Sequence, residues 1–364
     1  SPAPRTPVSY AFPDSLSPQA DPLLGPLDPS HLPGDPENHP LIKKRFQIPP
    51  ETPFLPFEQS IELLTVCITY GKRKEDLLKG KDALIFIGNT GAGKSTLANY
   101  VAGCKIAMKR AKEVGLSGIG KVAVVIPPEE GGPLAEVMRI GHAQMAQTFI
   151  PGVAEANGMV LVDCPGFLDN RGPEINIANA VNIRRLITAA SSLKFVILIN
   201  FYSLKADRAR GLRDLINICT DLFGSEQTLR ENMHSLLLGV TNVGQDIFLD
   251  DLRGFLMEST SDIVKLFVER LFVYDPEDQG GVDGAWDRPK LLQQIESMPG
   301  ISGRYTQAFQ TVMVDSDLQY LQRVGDDQVG RVDPLLEQGI YREVGVQLAR
   351  LKDLSIIDHP AIKR

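Results

Sequence analysis

The sequence predicts an α/β protein: a mostly parallel sheet covered by helices on both faces, with extra helices at both ends. Three observations lead there. Short, almost continuous apolar runs recur at 83–87, 158–163, 194–201, 235–241 and 271–275. Helical patterns at 94–103, 174–191, 206–223 and 247–270 separate most of them. A glycine-rich turn joins the first run to its helix. Strands buried on both faces read as continuous apolar runs, and their alternation with helices marks crossover units of a parallel sheet.

Taken in chain order, the first 56 residues hold fifteen of the 26 prolines and show little periodicity. Residues 1–57 therefore read as an extended, solvated arm. Residues 58–79 place Ile61, Leu64, Thr65, Ile68, Leu77 and Leu78 at helical spacing and form a leading helical segment. A nucleotide-binding core is expected over 80–286. It is interrupted by an insertion at 104–147, in which Lys121–Ile126 reads as a strand and Val137–Ile140 as its antiparallel return across a Pro- and Gly-rich turn. From 287 to 364 the pattern is helical and charged, with apolar positions such as Leu291, Leu292, Ile295, Leu318, Leu321, Leu348 and Leu351.

The glycine-rich turn carries the chemistry. Gly88, Asn89, Thr90, Gly91, Ala92, Gly93, Lys94 and Ser95 complete the pattern G-x-x-x-x-G-K-[ST], and Thr96 follows. A strand, a glycine loop and a helix N-terminus together aim backbone N–H groups and a positive dipole end at phosphate oxygens. Glycines at 88, 91 and 93 permit turns and close approach that a Cβ blocks. Lys94 would reach the β- and γ-phosphates, and the Ser95 hydroxyl would ligate Mg²⁺.

A second motif gives the first its meaning. Asp163-Cys164-Pro165-Gly166 ends the run 158–163. The carboxyl ends of neighbouring parallel strands converge on one ligand site. Asp163 would thus face the Mg²⁺ held by Ser95, directly or through water, and the Gly166 N–H would meet a γ-phosphate.

The two motifs together resemble the septin, chloroplast-import-receptor and immunity-associated GTPases of the translation-factor-related class, over about residues 80–275. The resemblance implies a Ras-like α/β core, binding of GTP with Mg²⁺, and a homodimer across the nucleotide face. It also places a switch threonine ahead of the strand pair ending in Asp163. Thr148 is the candidate for that Mg²⁺-sensing hydroxyl; a threonine favoured at a strand start for its shape is the alternative.

Two departures from the family pattern matter. Guanine-reading members carry [TN]-K-x-D after the fifth strand, whereas this chain has Val240-Thr241-Asn242-Val243-Gly244-Gln245-Asp246. Asp246 could accept from guanine only in a rearranged loop, and it reads equally as a helix N-cap. Asn242 could offer an amide contact. Phe167 follows Gly166 where many small GTPases have a water-orienting glutamine, and a phenyl ring cannot hydrogen-bond water. Intrinsic hydrolysis is expected to be slow unless His142, Asp169 or Arg171 supplies the function in cis or across a dimer. Arg171, Arg208 and Arg210 are arginine-finger candidates that read equally as surface residues.

The chain has 364 residues, a formal net charge of −7 and a sequence pI near 5.4. That balance argues against a large nucleic-acid surface; peripheral membrane association has no feature to indicate it. Cys67, Cys104, Cys164 and Cys219 form no C-x-x-C pair and read as reduced cysteines of a cytoplasmic protein. Ser1 at the start and Lys363-Arg364 at the end suggest a processed form or a piece of something longer. The expected activity is a slowly hydrolysing switch or assembly GTPase. A P-loop ATPase and a nucleotide-binding scaffold are the alternatives.

Overall fold

A computed structural model of the chain describes residues 34, 36–47, 55–116, 120–141, 150–166, 172–206, 210–243, 247–259, 261–275, 288–302, 309–357 and 362. Strand β1 (Asp82–Gly88) lies at its centre. Its side chains alternate between two cores. Ala83, Ile85 and Ile87 face one; Leu84 and Phe86 face the other. This period-2 split is why the run is apolar throughout: both faces are covered.

Around β1 run β2 (Ile106–Arg110), β3 (Lys121–Val125), β4 (Gly152–Ala156), β5 (Met159–Asp163), β6 (Ser192–Asn200), β7 (Leu236–Thr241), β8 (Leu271–Tyr274) and the short β9 (Ile301–Ser302). The main sheet has the order β4-β5-β1-β6-β7-β8. All its neighbours are parallel except the β4–β5 hairpin at one edge, and β9 adds an antiparallel pairing to β6. That is the order of a Ras-like core. The β4–β5 turn is Asn157-Gly158, both with positive φ (52° and 74°), the residue pair that a tight two-residue hairpin requires.

The helices are α1 (Pro40–Gln47), α2 (Phe57–Glu75), α3 (Lys94–Ala102), α4 (Pro173–Ala189), α5 (Phe201–Lys205), α6 (Arg210–Leu222), α7 (Glu226–Glu231), α8 (Leu249–Met257), α9 (Asp262–Leu266), α10 (Arg288–Ser297), α11 (Asp315–Glu337) and α12 (Tyr341–Leu354). Among the described residues, no helix is long and apolar enough to cross a membrane. All four cysteines are buried free thiols.

A third core lies outside the sheet. Leu63, Leu64 and Cys67 of α2 pack with Ile175, Ala178 and Val181 of α4, with Tyr320, Leu321 and Val324 of α11, and with Leu354 of α12. The leading and C-terminal helices thus bury their apolar stripes against one another. Helix α4 serves both bodies, since its Ile183, Leu186 and Ile187 belong to the core beneath the sheet. Polar bonds fix the register. The Ser60 and Tyr320 hydroxyls meet at 2.7 Å, Arg323 lies over the Phe57 ring, and Glu75 pairs with Arg185.

Four expectations change. The arm expected over 1–57 is not solvated throughout, because α1 is helical and its Ile42 is buried in the core with α2. Val137–Ile140 is not the return strand of the insertion; β3 pairs instead with β2, antiparallel, from Ile106↔Val125 to Arg110↔Lys121. The backbone of 137–140 is already occupied. The N–H groups of Val137 and Met138 donate to Asn99 Oδ1, and that of Ile140 donates to Glu136. The run 194–201 stops at Asn200, whose side chain accepts the Tyr202 N–H at 2.8 Å and caps α5. The 247–270 helix is two, α8 and α9, with the Ser259 hydroxyl accepting the Ser261 N–H between them.

The α2–α4 crossing is close enough to require glycine. A Cβ on Gly71 would lie 2.0 Å from the Asn182 side chain, whose Nδ2 donates to Cys67 O at 3.0 Å. Gly71→Ala should therefore lower stability by about 1–3 kcal/mol through overpacking. Part of that loss should return in Gly71→Ala/Asn182→Ala. Urea denaturation of the four proteins in the cycle measures both; an unchanged midpoint in Gly71→Ala would refute the close crossing.

Candidate functional site

Parallel pairing brings β1, β5 and β7 to one edge, and their carboxyl ends build the site. Phe86 is level with Asp163, and Cys164 N donates to Phe86 O at 3.2 Å, so the second motif starts beside the first. The loop 88–95 leaves β1 at Gly88. A Cβ there would lie 2.3 Å from the carbonyl oxygen of Leu198 in β6. Gly93 caps α3 with φ of 84°, in the left-handed region, and its carbonyl accepts the first helical bond from Leu97 at 2.9 Å. The start of α3, whose first N–H groups have no partner within the helix, therefore opens its positive dipole end onto the loop.

Lys94 is buried within this ring, and its Nζ donates to Gly88 O and Asn89 O, both at 3.0 Å. Ser95 Oγ donates to Asp163 Oδ2 at 2.5 Å. Asp163 is almost fully buried, and its Oδ1 has no hydrogen-bond partner among the described residues. Burial pushes the Asp163 carboxyl above the usual carboxylate range, against the opposing pull of Lys94, the Ser95 hydroxyl and Lys74.

A buried carboxylate with one orphaned oxygen beside a serine hydroxyl is a hard-oxygen donor pair. Mg²⁺ takes such donors, one or two carboxylates supplemented by phosphates and water. The described residues contain no cluster of three His, Cys, Asp or Glu that could hold a metal alone. Ser95 and Asp163 thus fit an ion that arrives with its phosphates.

Gly166 stands against the loop itself. A Cβ at this position would lie 2.3 Å from Thr90 Oγ1 and 2.8 Å from Thr90 N. Only glycine lets the segment after Asp163 pass so close to the phosphate-binding backbone. Cys164 is no nucleophile: burial and the adjacent Asp163 charge push its thiol far above the ordinary range.

The structure therefore brings together Gly88, Asn89, Thr90, Gly91, Ala92, Gly93, Lys94, Ser95, Thr96, Asp163 and Gly166. Asn242 follows the end of β7, exposed, with φ of 54°. Thr148 and Asp246 lie outside the described residues, as do His142, Phe167, Asp169, Arg171 and Arg208. Arg210 is an exposed residue of α6 that pairs with Asp214 one turn on, at 3.7 Å.

Two supporting residues escaped the sequence reading. Thr241 Oγ1 donates to Ala92 O at 3.0 Å, tying the end of β7 to the loop. Asn99, fully buried on α3, donates through Nδ2 to Ser95 O at 2.9 Å and to Met138 O at 2.5 Å, while its Oδ1 accepts from Val137 and Met138. It clamps the chain entering 140–150 onto the helix that carries Lys94 and Ser95. The available signal was a polar residue at i+4 from Ser95 among Leu97, Ala98 and Val101.

Thr241→Val keeps the shape and removes the only hydroxyl of that side chain, leaving a buried Ala92 carbonyl without this partner. The expected cost is about 1–3 kcal/mol, measured by urea denaturation. A wild-type midpoint would show that the tie carries no energy.

No protein-family model matches the chain, and no curated protein matches it. Solved structures similar to it include Toc33 from Arabidopsis thaliana in a dimerisation-deficient mutant form, at 14% identity over 68% of this chain and 98% of that one, with a TM-score of 0.34. A structure of the chloroplast translocon components atToc33 and psToc159, concerned with dimerisation and GTPase activity, has 15% identity over 66% of this chain and 92% of that one, with a TM-score of 0.34. The signal recognition particle receptor SRb-GTP/SRX complex from Chaetomium thermophilum has 14% identity over 54% of this chain and 90% of that one, with a TM-score of 0.27. At such values the site rests on the chain's own geometry.

Proposed function

We infer that the chain is a guanine-nucleotide-binding switch that hydrolyses GTP slowly with Mg²⁺. The observation that carries this reading is the Lys94–Ser95–Asp163 cluster at the carboxyl edge of a parallel sheet, with Gly166 seated on Thr90. The loop backbone and the start of α3 would cradle the phosphates. Lys94 would exchange its two carbonyl partners for β- and γ-phosphate oxygens. Ser95 and Asp163 would hold Mg²⁺, which when bound neutralises charge developing on the phosphates.

Residues 140–150 and 164–175 would respond to the γ-phosphate, with Thr148 as the sensing hydroxyl of the first. Two contacts would carry the movement of the first segment outward. Asn99 grips the entry to the first segment. Lys74 at the end of α2 donates to Pro151 O at its exit, at 3.0 Å. Slow hydrolysis follows from Phe167, and association of two copies across the nucleotide face would add the missing polar group. Guanine preference rests on the D-C-P-G motif, with Asp246 and Asn242 as the base-reading candidates. Asn242 in place of lysine favours the ATPase reading as the alternative.

Competition calorimetry with Mg²⁺ decides between them. The full chain should bind GTP more tightly than ATP, and Lys94→Ala should weaken GTP binding by about tenfold or more, ~1.4 kcal/mol. An ATP preference would move the assignment to the alternative. Equal GTP affinity in wild type and mutant would remove the loop from the site.

A further inference from the structure

Helix α1 is docked on the start of α4. His39, Ile42 and Arg45 recur at every third position and are buried, while Lys43 and Lys44 between them are exposed. Ile42, with Leu55 farther on, enters the core that holds Ile175 and Ile177 of α4. Arg45 reaches Glu174 in the first turn of the same helix, Nε to Oε1 at 3.7 Å, with side chains 2% and 1% exposed. Charged side chains are almost never buried so deeply unless they are paired.

Glu174 also lies against the backbone before it. A Cβ on Gly172 would lie 2.7 Å from the Glu174 carboxylate, and Gly172 has a φ of 132°. Gly172 is the residue that starts α4, its carbonyl accepting the Asn176 N–H at 3.2 Å. If Arg45 left, Glu174 would be a buried charge without its counterion, a costly state. Moving the start of α4 until Glu174 meets water would relieve it. The place of that first turn and the docked state of α1 are therefore linked.

The same turn faces the nucleotide edge. Asn176 and Asn179 of α4 line a small, mostly apolar cavity of about 70 Å³ together with Pro165 and Gly166. Asp221 of α6 and Asp317 of α11 also line it. A shift of α4 would alter the support behind Gly166, the residue seated on Thr90 of the phosphate-binding loop. The docked arrangement of α1 is thus the one in which Gly166 lies on the loop, where its N–H would meet a γ-phosphate.

We propose, on the GTP-binding reading, that α1 is an intramolecular regulator of the nucleotide site: docked through Arg45 on Glu174, it favours the arrangement that binds a nucleoside triphosphate over a diphosphate. Coupling between two sites is reciprocal, so a nucleotide whose affinity depends on docking must change docking by the same factor. The eight residues of α1 are too few for a helix to stand alone. The helix therefore unfolds when it leaves α4, and Lys43 and Lys44 become open to protease.

Trypsin cleavage of the full chain after Lys43 and Lys44, followed by mass spectrometry, reads the docked state without any substitution. With Mg²⁺ and saturating nucleotide, cleavage should be about fivefold or more slower with a nonhydrolysable GTP analogue than with GDP. Arg45→Met and Glu174→Gln, each once shown to unfold cooperatively, should abolish that difference. By calorimetry, Arg45→Met should lower affinity for the analogue relative to GDP by a similar factor, whereas loss of a purely structural tie would leave the ratio alone. Equal cleavage with two nucleotides that both bind, or slower cleavage with GDP, would overturn the proposal. So would an unchanged affinity ratio in folded Arg45→Met. If neither nucleotide binds the wild type, the GTP reading itself falls, and this regulation with it.

Discussion

The hydrogen bond between Ser95 and Asp163 depends on one constraint: β5 must pair with β1 in parallel, with Asp163 level with Phe86. A slip of one residue would turn Asp163 toward the opposite face of the sheet. The hydrophobic alternation of both strands forbids that slip, since Leu161 and Leu84 share one core while Val162 and Ile85 share the other. Apolar packing therefore sets the position of a buried carboxylate that no apolar interaction would choose. The desolvation cost at Asp163 is the counterpart of a site prepared for positive charge.

The same edge organises the rest of the molecule. Thr241 ties β7 to the loop, Gly166 lays the segment after β5 on Thr90, and Asn99 holds the chain that enters 140–150. Among the described residues, the helical body formed by α2, α4, α11 and α12 meets this edge at Ile150, which is buried in its core, and through two polar groups. Lys74 reaches Pro151, and Asp317 shares a cavity with Pro165 and Gly166. Helix α4 joins both cores, so displacement of either nucleotide segment would be felt through packed side chains and not through a loose tether.

The central strands, the loop 88–95 and Asp163 were legible in the sequence because each rests on local signals: apolar runs, glycine spacing, a carboxylate at a strand end. The Asn157-Gly158 turn, a direct hairpin signal that fixes β4 against β5, was passed over in the sequence reading. The insertion was misread because Val137–Ile140 resembles a strand in composition, while the N–H groups of Val137 and Met138 go to the Asn99 side chain, 38 and 39 residues away, and that of Ile140 to Glu136. Thr241 and Asn99 act across similar or longer distances, as does the cavity shared by α4, α6 and α11. Such contacts have no periodicity to announce them. The breaks after Asn200 and around Ser259 turned on single polar side chains bonding to nearby backbone, which override an otherwise continuous apolar pattern.

The central claim is that Ser95 and Asp163 form a Mg²⁺ site completed by nucleotide phosphates. The most direct measurement is the GTP affinity of the full chain as free Mg²⁺ is varied, in wild type and in Asp163→Asn, which retains an acceptor for Ser95. Wild-type affinity should rise with Mg²⁺ by about tenfold or more, ~1.4 kcal/mol, while folded Asp163→Asn should show a nearly flat response. An equal rise in both proteins would contradict the account and place the metal away from Asp163.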